Sequence, residues 1–253
     1  MRRNTFNLAV LMIFLVGISR MAFAEGSPVA RLVFFNAKPG FKAPLEEAIK
    51  KQMDLRRAQK NPWRWLAWEY VSGEVPRYGV ATFGHAWADF DYALEAEDGV
   101  EAAALMLSPS PPVVQYFEHL EDVSDFGTHT NTPTLAEISI FELHYGKTAQ
   151  FYTALSKFHQ ALSRAGGVSR YEWFELRSGG ATPQFMCLVP RANWEVLDAP
   201  ADLLLDCLEQ TLGKKKAAKL FEEFTSIVKS HQRSMVRLRP DLSLLPIENS
   251  PKP

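Results

Sequence analysis

The sequence is poor in the residues that mark common chemistries. Its 253 residues contain only two cysteines, Cys187 and Cys207. Neither lies in a CxxC pair, which excludes a dithiol redox motif, a zinc ribbon and a dense disulfide scaffold. Cys187 sits in an apolar strand-like run and Cys207 in an apolar helical run. They read either as one disulfide or as two small buried hydrophobes. No two of the six histidines have HxH or HExxH spacing, so the pattern indicates no metal site. A GxSxG elbow, a P-loop and a GxGxxG turn are all absent. The pairs Gly166-Gly167 and Gly179-Gly180 read as turn glycines. An excess of either charge is also lacking, with 28 basic and 29 acidic residues. The one basic run, Lys214 to Lys216, reads as the solvated start of a helix, so nothing points to nucleic acid. Beyond residue 24 no apolar run approaches the roughly 20 residues that cross a bilayer.

The first residues do carry a pattern. Met1, Arg2 and Arg3 form a basic start, residues 8–18 are apolar, and Ala22-Phe23-Ala24 has the small-x-small form of a signal-peptidase site. The expectation is a signal peptide over 1–24, cleavage before Glu25, and export to the periplasm or the extracellular space. The apolar run is too short for a membrane anchor, and Arg20 follows it closely. These 24 residues hold three arginines and no acid, so the formal charge of −1 becomes −4 once they are removed. No membrane association is expected after cleavage.

The rest of the chain repeats itself. Pro76 and Pro183, Tyr78 and Phe185, Trp87 and Trp194, and Asp91 and Asp198 are each separated by 107 residues. Trp68-Glu69-Tyr70 resembles Trp173-Phe174-Glu175, and residues 32–40 align with 138–146 at an offset of 106. Each half begins with a strand (30–36 and 135–144). A glycine turn follows, then an amphipathic helix carrying Leu45, Ile49 and Met53, or Phe151, Leu155, Phe158 and Leu162. Two aromatic-rich strands come next, 63–71 with 77–85 and 169–177 with 183–189. The pattern then predicts helices over 99–107 and 113–121 in the first half, and over 201–212 and 214–231 in the second. Residues 235–239 close the second half as a strand. The expected division is a first repeat over 25–123, a polar linker over 124–134, a second repeat over 135–240 and a Pro-rich tail over 241–253.

Each half therefore reads as β-α-β-β-α-β, a ferredoxin-like unit. The fold class is α+β, with two tandem ferredoxin-like repeats forming an intramolecular, pseudo-dimeric barrel. On these repeated Trp, Gly and Pro positions and this topology, residues 29–240 resemble the dimeric α+β barrel superfamily. That superfamily includes antibiotic-biosynthesis monooxygenases, NIPSNAP-like proteins and chlorite-dismutase-like haem proteins. The resemblance implies either a cofactor-independent oxygenase or, as the alternative cofactor, haem with a histidine ligand. Otherwise no cofactor is indicated.

Strand alternation supplies candidate site residues. Leu32, Phe34, Ile138 and Ile140 are expected to face the helices. Arg31, Val33, Phe35, Glu137, Ser139 and Phe141 are expected to face the space between the sheets, with Arg31 and Glu137 pairing there. Trp65, Trp173, Glu69 and Glu172 lie on the aromatic strands, where a carboxylate against indole would have a raised pKa. Trp87 and Trp194 read as helix-packing anchors. His85 ends a strand in Phe83-Gly84-His85 and, with Glu69, is the candidate acid or base. His159 and His231 lie on apolar helix faces and read as packing residues or as axial ligands. The ligand-binding set is then Arg31, Phe35, Trp65, Glu137, Ser139, Phe141, Glu172 and Trp173. The reading is an exported protein that binds a small apolar or aromatic molecule, as a monomer or a homodimer. The alternatives are an oxygenase or haem enzyme, and a protein-interaction module with a solid core.

Overall fold

A computed structural model describes residues 29–93, 111–125, 133–165, 170–195 and 203–245. The expected signal peptide, the helix over 99–107, Gly166-Gly167 and most of the Pro-rich tail lie outside the described residues. Eight strands form the framework: β1 (Val29–Asn36), β2 (Leu66–Tyr70), β3 (Arg77–His85), β4 (Val113–His119), β5 (Leu135–Leu143), β6 (Glu172–Ser178), β7 (Gln184–Arg191) and β8 (Val228–Leu238). The helices are α1 (Lys42–Ala58), α2 (Phe90–Ala93), α3 (Thr148–Arg164), α4 (Leu203–Leu212) and α5 (Lys214–Ile227). The two long helices follow from their apolar stripes. Leu45, Ile49 and Met53 of α1 and Phe151, Leu155 and Phe158 of α3 are all buried. Pro44 stands in the first turn of α1, where its missing N–H breaks no helical bond. Gly40 and Gly146 precede the two helices with φ of 78° and 77°, a region costly for other residues.

The strands close into one antiparallel barrel in the order β1-β3-β2-β8-β5-β7-β6-β4. Within each half the order is fourth, first, third, second. The seams β2–β8 and β4–β6 join the halves. Two expectations fail here. Residues 113–119 are strand β4, not a helix, and residues 228–231 belong to β8, not to the end of α5. Both segments alternate along an extended chain as readily as they form a helical stripe. Barrel closure decides between these readings, because without β4 the backbones of β1 and β6 would lack partners.

The barrel interior is a cluster drawn from all eight strands. Ala30, Leu32, Phe34, Leu66, Trp68, Tyr70, Ala81, Phe117, Ala136, Ile138, Phe174, Leu176, Met186, Val236 and Leu238 pack there without any helix residue. Val33, Phe35, Trp65, Ala67, Tyr78 and Val80 instead pack beneath Leu45, Ile49 and Met53 of α1. Phe141, Trp173 and Phe185 pack beneath α3 and α5. The expected facing is thus inverted. Leu32, Phe34, Ile138 and Ile140 point inward, while Arg31, Phe35, Glu137, Ser139, Phe141, Trp65 and Trp173 lie on the outer, helix-covered side. Both faces of β1 and β5 are buried, so alternation assigns residues to a common face without saying which face is inside.

The first residues of the Pro-rich tail are structured. Trp65 and Leu244 exchange backbone hydrogen bonds of 3.0 and 2.8 Å, and Leu242 and Leu244 are buried against α1. Both cysteines are free thiols; Cys187 is buried and Cys207 partly so. Among the described residues no helix is long and apolar enough to cross a membrane.

Candidate functional site

A bulge in β3 builds the most distinctive cluster. Val29 of β1 lies opposite His85, and Arg31 lies opposite Thr82, so one strand advances two residues while the other advances three. Gly84, at φ 79°, takes up the extra residue. Strict alternation would have placed His85 on the same side as Ala81 and Phe83, inside the barrel. The bulge turns it outward beside Thr82, whose Oγ1 lies 2.6 Å from His85 Nε2. When Nε2–H donates to Thr82, Nδ1 keeps its lone pair. His85 is 6% exposed, and burial pushes its pKa below the usual histidine range against the pull of Asp89. It is therefore neutral at pH 7.

Aromatic rings surround this imidazole. Trp63 lies over it at 4.0 Å between centroids, and Phe90 meets it edge-on at 5.6 Å. Phe90 also contacts Trp63 at 5.3 Å and Tyr116 at 5.3 Å. Trp87, 47% exposed, closes on Tyr116 at 5.7 Å and brings the cluster to the surface. Asp89 accepts a 2.8 Å bond from the Ala86 N–H and so fixes the turn that presents Trp87. Arg31 Nε donates to the Tyr116 hydroxyl at 3.3 Å. Its guanidinium lies 5.9 Å from the Trp65 ring, and that of Arg56 lies 4.0 Å from the same ring. His85, Arg31 and Trp65, three of the residues selected from the sequence, thus share one cluster. Thr82, Trp63, Trp87, Phe90, Tyr116 and Arg56 were not selected. Trp87 had been read as a packing anchor, and the bulge glycine was the one available signal for Thr82.

The other selected residues lie elsewhere. Glu69 sits at the β2–β8 seam with Lys42 at 2.6 Å, Arg237 at 3.0 Å and Arg239 at 3.3 Å. Burial pushes its pKa up, but Lys42 and Arg237 outweigh burial and hold it below the usual carboxylate range. This is the reverse of the expected raised pKa and removes the basis for Glu69 as an acid. Arg31 and Glu137 do not pair. Glu137 instead binds Arg191 at 2.8 Å and Arg233 at 2.7 Å. Ser139 lies in register with Cys187, and burial pushes that thiol well above its ordinary pKa. Phe141 stacks on His231 at 4.4 Å and meets Trp173 at 5.4 Å. Phe35 packs under α1. Glu172 lies on the inward side of β6 with Arg170 at 2.8 Å, and burial raises its pKa against that arginine. His159 Nδ1 lies 2.9 Å from the Tyr171 hydroxyl. Trp194 is 51% exposed. A surface groove of about 330 Å³ between α3 and α5, lined by Gln150, Thr153, Lys157, Glu223 and Ser226, contains none of the selected residues. Among the described residues no three His, Cys, Asp or Glu side chains stand together as a metal site.

No family model matches the chain, and no curated protein matches it. Solved structures do share the fold. An anthrone oxidase-like protein aligns over 85% of this chain and 92% of its own, with a TM-score of 0.59 and 13% identity. A monooxygenase-like protein of Lactobacillus acidophilus NCFM aligns over 86% and 95%, with a TM-score of 0.53 and 13% identity. A chlorite dismutase of Candidatus Nitrospira defluvii, solved with imidazole, aligns over 85% and 92%, with a TM-score of 0.51 and 8% identity. At these identities the likeness establishes the α+β barrel fold alone.

Proposed function

We propose that this chain is an exported α+β barrel of two tandem ferredoxin-like repeats, and that it binds a small planar aromatic molecule at the His85 cluster of its first repeat. The observation that carries the reading is a buried imidazole turned by a bulge into a set of aromatic rings that reaches solvent at Trp87. Bulges recur beside functional sites because they re-aim one side chain, and a few polar groups among aromatic walls are the usual make-up of a small-molecule site. The enzymatic form of the proposal is a cofactor-independent oxygenase. There His85 Nδ1 takes the acidic proton of the bound molecule, Thr82 holds the ring, and Trp63 and Phe90 exclude water from it. The monooxygenase-like and anthrone oxidase-like neighbours support that form.

Haem fits the described residues poorly. The layer between the second-half sheet and its helices is filled by Phe141, Phe151, Trp173, Phe185 and Phe224, with the centroids of contacting rings 4.6 to 6.2 Å apart. His231 lies flat on Phe141, and His159 is engaged by Tyr171. Thermal-shift screening of planar aromatic compounds, together with oxygen uptake on a hydroxyanthrone, tests the proposal. Stabilisation that His85→Ala abolishes is expected. The absence of both stabilisation and turnover, or a stoichiometric Soret band on adding haemin, would overturn it.

A further inference from the structure

Resting on the reading of the His85 cluster as the ligand site, we infer that the proline-rich segment 246–253 folds back over its rings as a strap, which lifts before a ligand enters. The described chain delivers this segment to the cluster. Leu244 pairs antiparallel with Trp65 through backbone bonds of 3.0 and 2.8 Å, and the Ala67 N–H donates to Ser243 Oγ at 2.9 Å. Leu242 and Leu244 lie on the outer side of the barrel with Trp63 and Trp65, while Leu245 packs against the barrel interior. A residue that precedes proline favours an extended backbone, so alternation past Leu245 leads residue 246 to the outer side. In the register of Leu244 with Trp65, the residue opposite Pro246 is Trp63. The ladder stops there. Pro246 has no N–H to donate, and the Trp63 N–H is already given to Asn61 Oδ1 at 2.9 Å. The chain therefore leaves the sheet beside the ring that covers His85.

The surface at that point suits proline. From Trp63 the rings run through Phe90 at 5.3 Å to Trp87 at 6.4 Å, with Tyr116 5.7 Å from Trp87. Trp63 and Tyr116 are half-buried and Trp87 is 47% exposed, so ring surface is open at both ends of the row. Three of the eight residues 246–253 are proline, namely Pro246, Pro251 and Pro253. Proline-rich segments dock on aromatic side chains because their extended helix is formed before they bind, which keeps the entropy cost low. At about 3.1 Å per residue such a segment spans about 25 Å, more than this row of rings requires. Tethering adds to the effect, since a short linker holds its own segment at an effective concentration in the millimolar range. A seated strap shields Trp63 and Trp87 from water, closes the way to His85 and competes with a planar ligand for the same rings.

Two measurements on the purified chain and on the double variant Pro251→Ser, Pro253→Ser test the inference: calorimetric titration with 1-naphthol, and NMR spectra of the indole N–H groups. A strap seated about four-fifths of the time lowers the apparent affinity about fivefold, so the variant should bind 1-naphthol about fivefold more tightly. The Trp63 and Trp87 indole signals should move between the two proteins, while that of Trp173, packed beneath α3 and α5, stays in place. Unmoved Trp63 and Trp87 signals would overturn the strap, whatever the titration shows. Moved signals with equal naphthol affinity would mean a seated segment that leaves the site open, and the closure would fail. Moved signals with no naphthol bound by either protein would support the seat of the segment on the rings and overturn the reading of the cluster as a ligand site. In the parent chain alone, nuclear Overhauser contacts between proline ring protons and the Trp63 or Trp87 indole are expected, and their absence would refute the strap without recourse to any variant.

Discussion

Gly179→Ala is expected to open the β4–β6 seam, one of the two that close the barrel. Gly179 follows β6 with φ +95°, and a Cβ built on it would stand 2.0 Å from the Val114 carbonyl oxygen and 2.9 Å from the Gln115 Cα. Both contacts are backbone, so no side chain can rotate away. The positive φ alone costs about 1 kcal/mol in a non-glycine residue. Relief of the clash requires β4 to separate from β6 near the Tyr116–Ser178 pairing, at about 1 kcal/mol for each hydrogen bond lost. Two such bonds bring the total to about 3 kcal/mol, a large share of an ordinary domain's stability. Gly146 supplies the control. Its φ of +77° is equally unfavourable to alanine, yet nothing lies within 4 Å of its Cβ position. Gly146→Ala should therefore cost only about 1 kcal/mol. Urea unfolding followed by tryptophan fluorescence measures both. Equal losses in the two variants would refute the seam argument, because they would show that the backbone angle alone matters.

Two further outcomes follow from groups whose surroundings are defined, and a third from the pattern of the first 24 residues. His119, 4% exposed beside Phe174 at 4.9 Å, has its pKa pushed down to about 4 by burial. Between pH 6.5 and pH 4 the unfolded chain binds a proton there that the folded chain refuses, so stability falls by about 3 kcal/mol as the pH drops through that window. His119→Gln should flatten this part of the pH–stability curve. Glu172 works with the opposite sign, and an unchanged curve in the His119 variant would sink the assignment. Glu137→Gln removes the acid shared by Arg191 and Arg233 and should cost about 2 kcal/mol in urea unfolding at pH 7. That is less than for a fully buried pair because the Arg233 side chain is 54% exposed; a loss below about 0.5 kcal/mol would count against it. N-terminal sequencing of the exported protein should begin at Glu25, and material retained in the cytoplasm with residues 1–24 intact would remove the export reading.

Much of the architecture was legible because it rests on local pattern. The stripes of α1 and α3 and the hairpins β2–β3 and β6–β7 fell where apolar spacing and turn residues placed them. What was not legible depended on non-local pairing. In residues 113–120, Val113, Phe117 and Leu120 fit a helical face as well as Val113, Gln115, Phe117 and His119 fit one side of a strand. The sequence contains both periods, and only the unpaired edges of β1 and β6 select the strand. The facing error has a similar origin. A strand buried on both sides carries no amphipathic signal, so Arg31 and Glu137 looked like polar guests in an apolar interior. They lie instead on the outer face, within reach of Tyr116 and of Arg191 and Arg233.

The strand pairing also corrects the register of the proposed duplication. Trp68 lies opposite Gly79 and Phe174 opposite Met186, while Ala67 lies opposite Val80 and Trp173 opposite Cys187. Gly79 and Met186, like Val80 and Cys187, are 107 residues apart. By register Trp68 therefore corresponds to Phe174, and both point into the barrel; Trp173 corresponds to Ala67, and both point outward. The apparent Trp68–Trp173 match is one residue out of register and joins residues on opposite faces. On the outer face the substitutions diverge in one direction. Where the second half places the bulky Trp173 against Phe141 and Phe151, the first has Ala67. Where the second half has Glu137, satisfied by Arg191 and Arg233, the first has Arg31. Only the first half carries the Gly84 bulge with its histidine among the described residues. The second half thus fills its outer face with rings and pairs its one carboxylate there with two arginines. The first half instead carries Arg31, Trp65 and the buried His85 on the matching face, and this asymmetry is the reason for proposing the ligand site there.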